Sequence, residues 1–124
     1  WIAELDKVRL PYNVNTLTQA VAREVLRHGS VLTEQAGAIK LQRGRLGQAL
    51  QGMKGLTVYP SDANFILFRI GQAERVFEGL KRRGVLIKSL HGSHPLLADC
   101  LRVTVGTPEE NAAFLSALNQ TLTD

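Results

Sequence analysis

The hydrophobic pattern of this chain changes its period at Leu56, and that change limits the folds the chain can adopt. Before Leu56, apolar residues recur at helical spacing in residues 16–27 and again from about 32 to 52. After it, apolar segments of strand length alternate with helical ones. The order helix, helix, strand, strand, helix, strand, strand, helix predicts an α+β fold, with helices packed on a small mixed or antiparallel sheet.

Four short segments after Leu56 have the pattern of strands: residues 57–59, 63–69, 85–88 and 101–105. A helical pattern over residues 72–83 lies between the second and the third, which indicates a βαβ-like step. Alternation in the fourth places Leu101, Val103 and Val105 on one face, and Arg102 and Thr104 on the other. The sequence therefore predicts one apolar and one polar face for this last strand.

The final helix has the clearest boundary in the chain. Thr107 suits the N-cap, Pro108 the first helical position and Glu110 the third, which together form a capping box. This position also explains Glu109 and Glu110 without an acid–base pair, because carboxylates are favoured at a helix N-terminus. The predicted core face consists of Ala113, Phe114, Ala117 and Leu118.

The first two helices have weaker boundaries. Asn15 or Thr16 can cap the first of them, and Gly29 suits the C′ position that follows it. Before them, an apolar repeat at residues 2, 5 and 8 ends at Pro11. The second helix is expected to carry one apolar stripe, interrupted only by Arg43 and formed by Leu32, Ala36, Ile39, Leu46, Leu50 and Met53.

Composition excludes several classes of protein. The 124 residues suffice for one domain, and no segment has the roughly 20 apolar residues of a membrane span. A net charge of +4 without a basic patch interleaved with aromatic residues argues against nucleic acid. The single cysteine, Cys100, excludes a disulfide framework and is interpreted as a small buried hydrophobe. With no signal-peptide pattern at the N-terminus, we expect a cytoplasmic protein.

Arg102 is the residue that most needs an explanation. An arginine within an apolar strand either pairs with an acid, lies on a solvated face or receives an anion in a cleft. His91 and His94 share a loop without the spacing of a metal site, so we interpret that loop as solvated and expect no metal. Nothing else in the sequence forms a catalytic set.

Three segments carry a family resemblance. They are Leu101-Arg102-Val103-Thr104-Val105-Gly106-Thr107-Pro108-Glu109-Glu110-Asn111, residues 60–69 (PSDANFILFR) and residues 7–15 (KVRLPYNVN). Together they closely resemble the carboxy-terminal part of histidinol-phosphate aminotransferases, which are fold-type I pyridoxal-phosphate enzymes. The resemblance implies that residues 16–124 form the small domain of such an enzyme. Residues 1–15 would be what remains of the segment that joins it to a larger domain, in a homodimer.

The resemblance also implies roles for particular residues. Arg102 matches the arginine that grips the anionic end of the substrate, a carboxylate or a phosphate. The family often has a second arginine in the preceding strand, where this sequence has Lys88, which keeps the charge without the forked geometry. Asn64 and Phe65 also match a family signature, which leaves two alternatives open. Asn64 either contacts a ligand, or its side chain forms a hydrogen bond with local backbone while Phe65 fills the core. Tyr12 and Asn13 are expected to have a structural positioning role.

The cofactor and the catalytic groups of the family are expected outside this chain. Family members hold pyridoxal phosphate on a lysine in an upstream segment that none of the lysines here matches, so no bound cofactor and no catalytic residue is expected. The implied reaction transfers an amino group between glutamate and imidazole-acetol phosphate. Two alternatives remain open: a free-standing anion-binding α+β module, and the same domain of another fold-type I aminotransferase.

Overall fold

The structure, a computed structural model, describes residues 1–10 and 14–124. These divide into two units, residues 1–35 and residues 36–124. Tyr12 and Asn13, with their expected positioning role, lie outside the described residues. No helix of the described chain combines the length and the apolar content that crossing a membrane requires.

The first unit contributes no buried side chain, since every residue described in it is exposed. The repeat at residues 2, 5 and 8 forms only the short helix α1, Ile2–Asp6. Helix α2, Thr16–Arg27, begins at Asn15, whose Oδ1 accepts a hydrogen bond of 2.8 Å from the Thr18 backbone amide. Asn15 is therefore the cap, one of the two residues that the sequence allowed.

Helix α3, Gly29–Gln51, begins three residues earlier than expected. His28 is the C-cap of α2, and Gly29 lacks the left-handed backbone that a C′ glycine usually adopts, because α3 continues through it. The predicted apolar stripe is buried only at its end, at Leu46 and Leu50. Leu32 and Ile39, in the first part of the stripe, are exposed.

The second unit contains a four-stranded sheet in the order β1-β2-β4-β3, and each neighbouring pair is antiparallel. The strands are β1, Leu56–Val58; β2, Phe65–Ile70; β3, Lys88–Ser89; and β4, Cys100–Thr104. This confirms the antiparallel form of the predicted sheet. Since β4 is antiparallel to both β2 and β3, β2 and β3 run parallel to each other. Helix α4, Ala73–Arg82, connects them as the predicted βαβ step requires, but β4 lies between the two strands in the sheet.

Strand β3 is shorter and later than predicted. Residues 85–87 do not pair with β4, although Val85 and Ile87 pack against the core from the segment that follows Gly84. Gly84 has a φ of +77°, a conformation that glycine adopts without strain at the end of α4. A single 3₁₀ turn, Pro95–Leu97, precedes β4. The two-residue pairing of β3 suffices to fix its register with β4.

The core lies on one face of this sheet. Alternate strand residues and three helices form it. The strands contribute Ile66, Phe68, Ile70, Leu101 and Val103, and the helices α3, α4 and the final helix contribute Leu46, Leu50, Val76, Leu80, Phe114 and Leu118. Leu101 and Val103 are buried and Arg102 and Thr104 are not, which confirms the alternation predicted for β4.

Helix α5, Pro108–Thr123, has the predicted capping box. The Glu110 amide donates to Thr107 Oγ1 at 3.2 Å, and the Thr107 amide donates to Glu110 Oε2 at 2.8 Å. One predicted core residue, Ala113, is exposed. Asn111 is buried instead, and its Oδ1 accepts a hydrogen bond from the Gly106 amide while its Nδ2 donates to the Gly106 carbonyl, both at 3.0 Å.

Candidate anion-binding site

The sheet face opposite the core presents Arg102 and Lys88 from neighbouring strands, and Arg69 of β2 shares this face. Register pairs Arg102 of β4 with Lys88 of β3 on one side and with Leu67 of β2 on the other. Directly paired residues of antiparallel strands have Cβ atoms about 4.5–5.5 Å apart on the same face. Arg102 and Lys88 are therefore side by side, away from the buried core residues.

Arg102 is half-buried, and its Nε is shielded from solvent without a hydrogen-bond partner. Arg102 takes part in none of the ion pairs that the described residues form. Pairing with an acid of the described chain, one of the three explanations, is thus excluded. A fully solvated side chain also disagrees with the buried Nε, so the geometry favours an anion as the missing partner.

Lys88 is exposed and also takes part in no ion pair of the described residues. Like charges that face each other across strands destabilise a sheet. An anion that binds both groups would remove this repulsion and would satisfy the arginine fork. The structure therefore brings together two of the three predicted site residues.

Asn64, the third, lies one residue before β2 and is exposed. Its backbone carbonyl accepts a hydrogen bond of 2.9 Å from the Val105 amide. Its side chain takes part in no hydrogen bond among the described residues, so the expected bond from this side chain to local backbone is not observed. The structure leaves Asn64 at the strand end, outside the row formed by Lys88 and Arg102.

Phe65 is a neighbour of Arg102 that the sequence did not place correctly. It does not belong to the core, which corrects the core-filling alternative, but lies half-buried on the face of Arg102. The Arg102 Cζ is 4.9 Å from the centroid of the Phe65 ring. Residue spacing alone could not reveal this contact, because it depends on the register of β2 with β4.

The remaining candidates have structural roles. The ring nitrogens Nδ1 of His91 and His94 accept hydrogen bonds from the amides of Asp99 and Leu96, at 3.0 and 3.1 Å. Both histidines are exposed, which confirms the solvated loop. Among the described residues no group of three metal-ligating side chains occurs. Cys100 is 1% exposed, which confirms its interpretation as a buried hydrophobe.

Comparison with known protein families gives one assignment over nearly the whole chain. The model of the aminotransferase class I and II family matches residues 1–118. Among curated proteins, histidinol-phosphate aminotransferase 1 of Ralstonia nicotianae is 56% identical over 124 residues, which are 100% of this chain and 33% of that protein. Histidinol-phosphate aminotransferase 2 of Nitrosococcus oceani is 59% identical over 120 residues, 95% of this chain and 33% of that protein. The chain thus spans about a third of the length of these relatives.

Solved structures agree with this comparison. Histidinol-phosphate aminotransferase from Sinorhizobium meliloti, in complex with pyridoxal-5'-phosphate, superposes with a TM-score of 0.76 at 25% identity, over 97% of this chain and 33% of that one. The enzyme of the same name from Clostridium acetobutylicum gives a TM-score of 0.82 at 22% identity, over 98% of this chain and 38% of that one. The second likeness supports the fold alone.

Proposed function

This chain belongs to the class I and II aminotransferases, and we propose that the full-length protein transfers an amino group between glutamate and imidazole-acetol phosphate. Two relatives that are 56% and 59% identical to the chain carry the name histidinol-phosphate aminotransferase, which supports this choice within the family. The proposal rests on one structural observation: Arg102 has a buried, unpaired Nε, and no carboxylate of the described chain neutralises it.

Arg102 would bind the anionic end of each substrate. A guanidinium donates two parallel hydrogen bonds to a carboxylate or to a phosphate, so one residue can serve both glutamate and the phosphorylated partner. Lys88, in direct register with Arg102, would add a second positive charge, which matters more for the doubly charged phosphate than for a carboxylate. Asn64 is retained as a candidate contact at the end of β2 and has no partner assigned.

The proposed domain organisation assigns residues 16–124 to the small domain and residues 1–15 to the segment that joins it to the rest of the protein. Leu17, Val21, Val25 and Leu26 of α2 are between 44% and 75% exposed. Exposed apolar surface of this kind is typical of a contact with another part of a protein. A larger domain of the same polypeptide, and a second copy in a cytoplasmic homodimer, are the partners we propose.

The residues of this chain do not fit a site for the pyridoxal-phosphate cofactor. Its lysines, Lys7, Lys40, Lys54, Lys81 and Lys88, are all exposed, whereas a lysine that forms a Schiff base needs a desolvated pocket to lower its pKa. When bound, the cofactor supplies an electron sink for the amino-group transfer. We therefore place the cofactor and its lysine on the rest of the protein, and assign to this chain only the binding of substrate anions.

The test uses the full-length protein loaded with pyridoxal phosphate. With glutamate and imidazole-acetol phosphate as substrates, we expect 2-oxoglutarate and histidinol phosphate to form. Chromatography of the reaction mixture measures both products. Turnover of aromatic 2-oxo acids, but not of the phosphorylated substrate, would assign the chain to another aminotransferase. Anion binding without turnover of any amino donor would favour the free-standing binding module instead.

A further inference from the structure

The guanidinium of Arg102 is held by an aromatic ring and by no oxygen atom of the described residues. We propose that Phe65 is the positioning residue of the anion site: its ring fixes the Arg102 guanidinium for the substrate and leaves its two terminal nitrogens free to donate. This inference rests on the proposed function, since it presumes that Arg102 binds a substrate anion.

Strand register brings the two side chains together. Phe65 pairs with Thr104, two residues from Arg102 along β4, so that Phe65 is the diagonal neighbour of Arg102 on the same face. Diagonal neighbours are within reach when one side chain is aromatic and the other is long. The Arg102 Cζ lies 4.9 Å from the ring centroid, inside the range of about 6 Å in which a cation is attracted to a ring face.

Other arginines of the second unit are held differently. Arg69 donates to the carbonyls of Ala98 and Leu96, at 3.1 and 2.8 Å, in addition to lying over the ring of Tyr59. Arg43 donates to the Ala63 carbonyl at 2.9 Å. Each of these oxygens occupies a donor that a ligand would need. A ring attracts the cation without accepting its hydrogen bonds and without neutralising its charge.

A merely structural role of Phe65 agrees less well with its surroundings. The ring is absent from the buried core, and the residue paired with Arg102 on the β2 side is Leu67, whose side chain can pack along the arginine stem. Replacing Phe65 by leucine would therefore keep an apolar residue on this face and remove the ring. The guanidinium would then sample orientations that do not match a carboxylate or a phosphate, so binding would weaken.

The experiment uses the full-length holoenzyme, in which the cofactor already occupies its own phosphate site. For Phe65→Leu we expect the KM of both substrates, and the Kd of inorganic phosphate measured by calorimetry, to rise about three- to tenfold with little change in kcat. Phe65→Trp should restore KM, because tryptophan offers a larger ring face. The matched control is Phe77→Leu, the same change in a half-buried ring that packs on the core from α4; it should lower Tm and leave KM unchanged.

A double-mutant cycle separates positioning from general damage. In an Arg102→Ala background, Phe65→Leu should change KM and the Kd of phosphate less than twofold, since the group that the ring positions is gone. An equal effect of Phe65→Leu in both backgrounds would overturn the inference, as would a normal KM in the single variant while Arg102→Ala is impaired. Normal kinetics of Arg102→Ala would instead overturn the proposed role of this chain in substrate binding, and the inference with it.

Discussion

Lys88 lies directly opposite Arg102 in the antiparallel pair of β3 and β4, and no acid of the described residues forms an ion pair with either. A sheet designed for stability alone would place opposite charges at such a position, because facing like charges are destabilising. A pair of this kind trades fold stability against attraction of an anion. The two effects can be measured separately, since they respond to the removal of Lys88 with opposite signs.

Lys88→Gln keeps a side chain of similar length and removes the charge. We expect the free energy of unfolding to rise by about 0.2–1 kcal/mol, because the cross-strand repulsion is lost. The affinity of the full-length enzyme for the phosphorylated substrate that we propose should fall about two- to fivefold, the effect of an exposed charge. Lys54→Gln, at another exposed lysine, is the control and should change neither quantity. A loss of stability in Lys88→Gln would contradict the repulsion.

Arg102→Ala should damage substrate handling far more than Arg82→Ala, which removes an exposed arginine from the end of α4. A hydrogen bond to a charged group contributes about 1.5–3 kcal/mol, so kcat/KM of the full-length enzyme should fall roughly ten- to a hundredfold or more. Both half-reactions should suffer, because the two substrates would share the residue. Arg102→Lys should recover only part of the activity, since the charge returns without the fork. Normal kinetics together with a Tm lower by several degrees would show a structural role instead.

Local features of the structure could be predicted because neighbouring residues determine them. The capping box of α5 needs only Thr107, Pro108 and Glu110, and the two faces of β4 follow from alternation between Leu101 and Val105. Asn15 caps α2 for the same kind of local reason. In each of these segments the residues that decide the local structure lie within a few positions of one another, and the prediction is confirmed.

The contacts that form the candidate site could not be predicted in the same way. Residues 65–70 are a nearly continuous apolar segment, so nothing in their pattern indicates whether Phe65 or Ile66 faces the core. That choice depends on register, and a shift by one residue would exchange the two faces. The insertion of β4 between β2 and β3, which brings Arg102 opposite Lys88, is likewise a pairing between residues far apart in sequence.

Helices α4 and α5 approach each other closely at Gly79 of α4, which lies against Thr121 of α5. A methyl group at this position would overlap Cγ2 of the buried Thr121 and would lie 3.1 Å from its Oγ1. Gly79→Ala should therefore destabilise the chain by about 1–3 kcal/mol, the usual effect of overpacking. Thr121→Ser removes Cγ2 and should recover most of this loss in the double variant.

Gly44→Ala, in α3 with nothing within 4 Å, should instead stabilise by about 0.5–1 kcal/mol. Denaturant titration distinguishes these outcomes.

Incubation of the 124-residue chain with pyridoxal phosphate tests whether the cofactor site lies elsewhere. Since all its lysines are exposed, we expect only weak, non-saturable modification spread over several of them. Absorbance spectra should show no saturable band, and mass spectrometry after borohydride reduction should show no dominant site. A stoichiometric adduct at one lysine would contradict the placement of the cofactor lysine on the rest of the protein.

The carboxyl of Glu109, in the first turn of α5, should make the stability of the fold depend on pH. The pKa of its carboxyl is lowered, first by a hydrogen bond from its own backbone amide and then by one from the Thr107 hydroxyl. A carboxyl whose pKa is lower in the folded state than in the unfolded state stabilises the fold above the unfolded pKa. That contribution is lost as pH falls through the folded pKa. Glu109→Gln should therefore be less stable than the parent chain near pH 7, and the difference should shrink toward zero as pH falls below the ordinary glutamate pKa and through the lower folded pKa. Urea titrations of both proteins at several pH values measure the difference in the free energy of unfolding. A difference that does not change with pH would show that the carboxylate charge does not contribute to it.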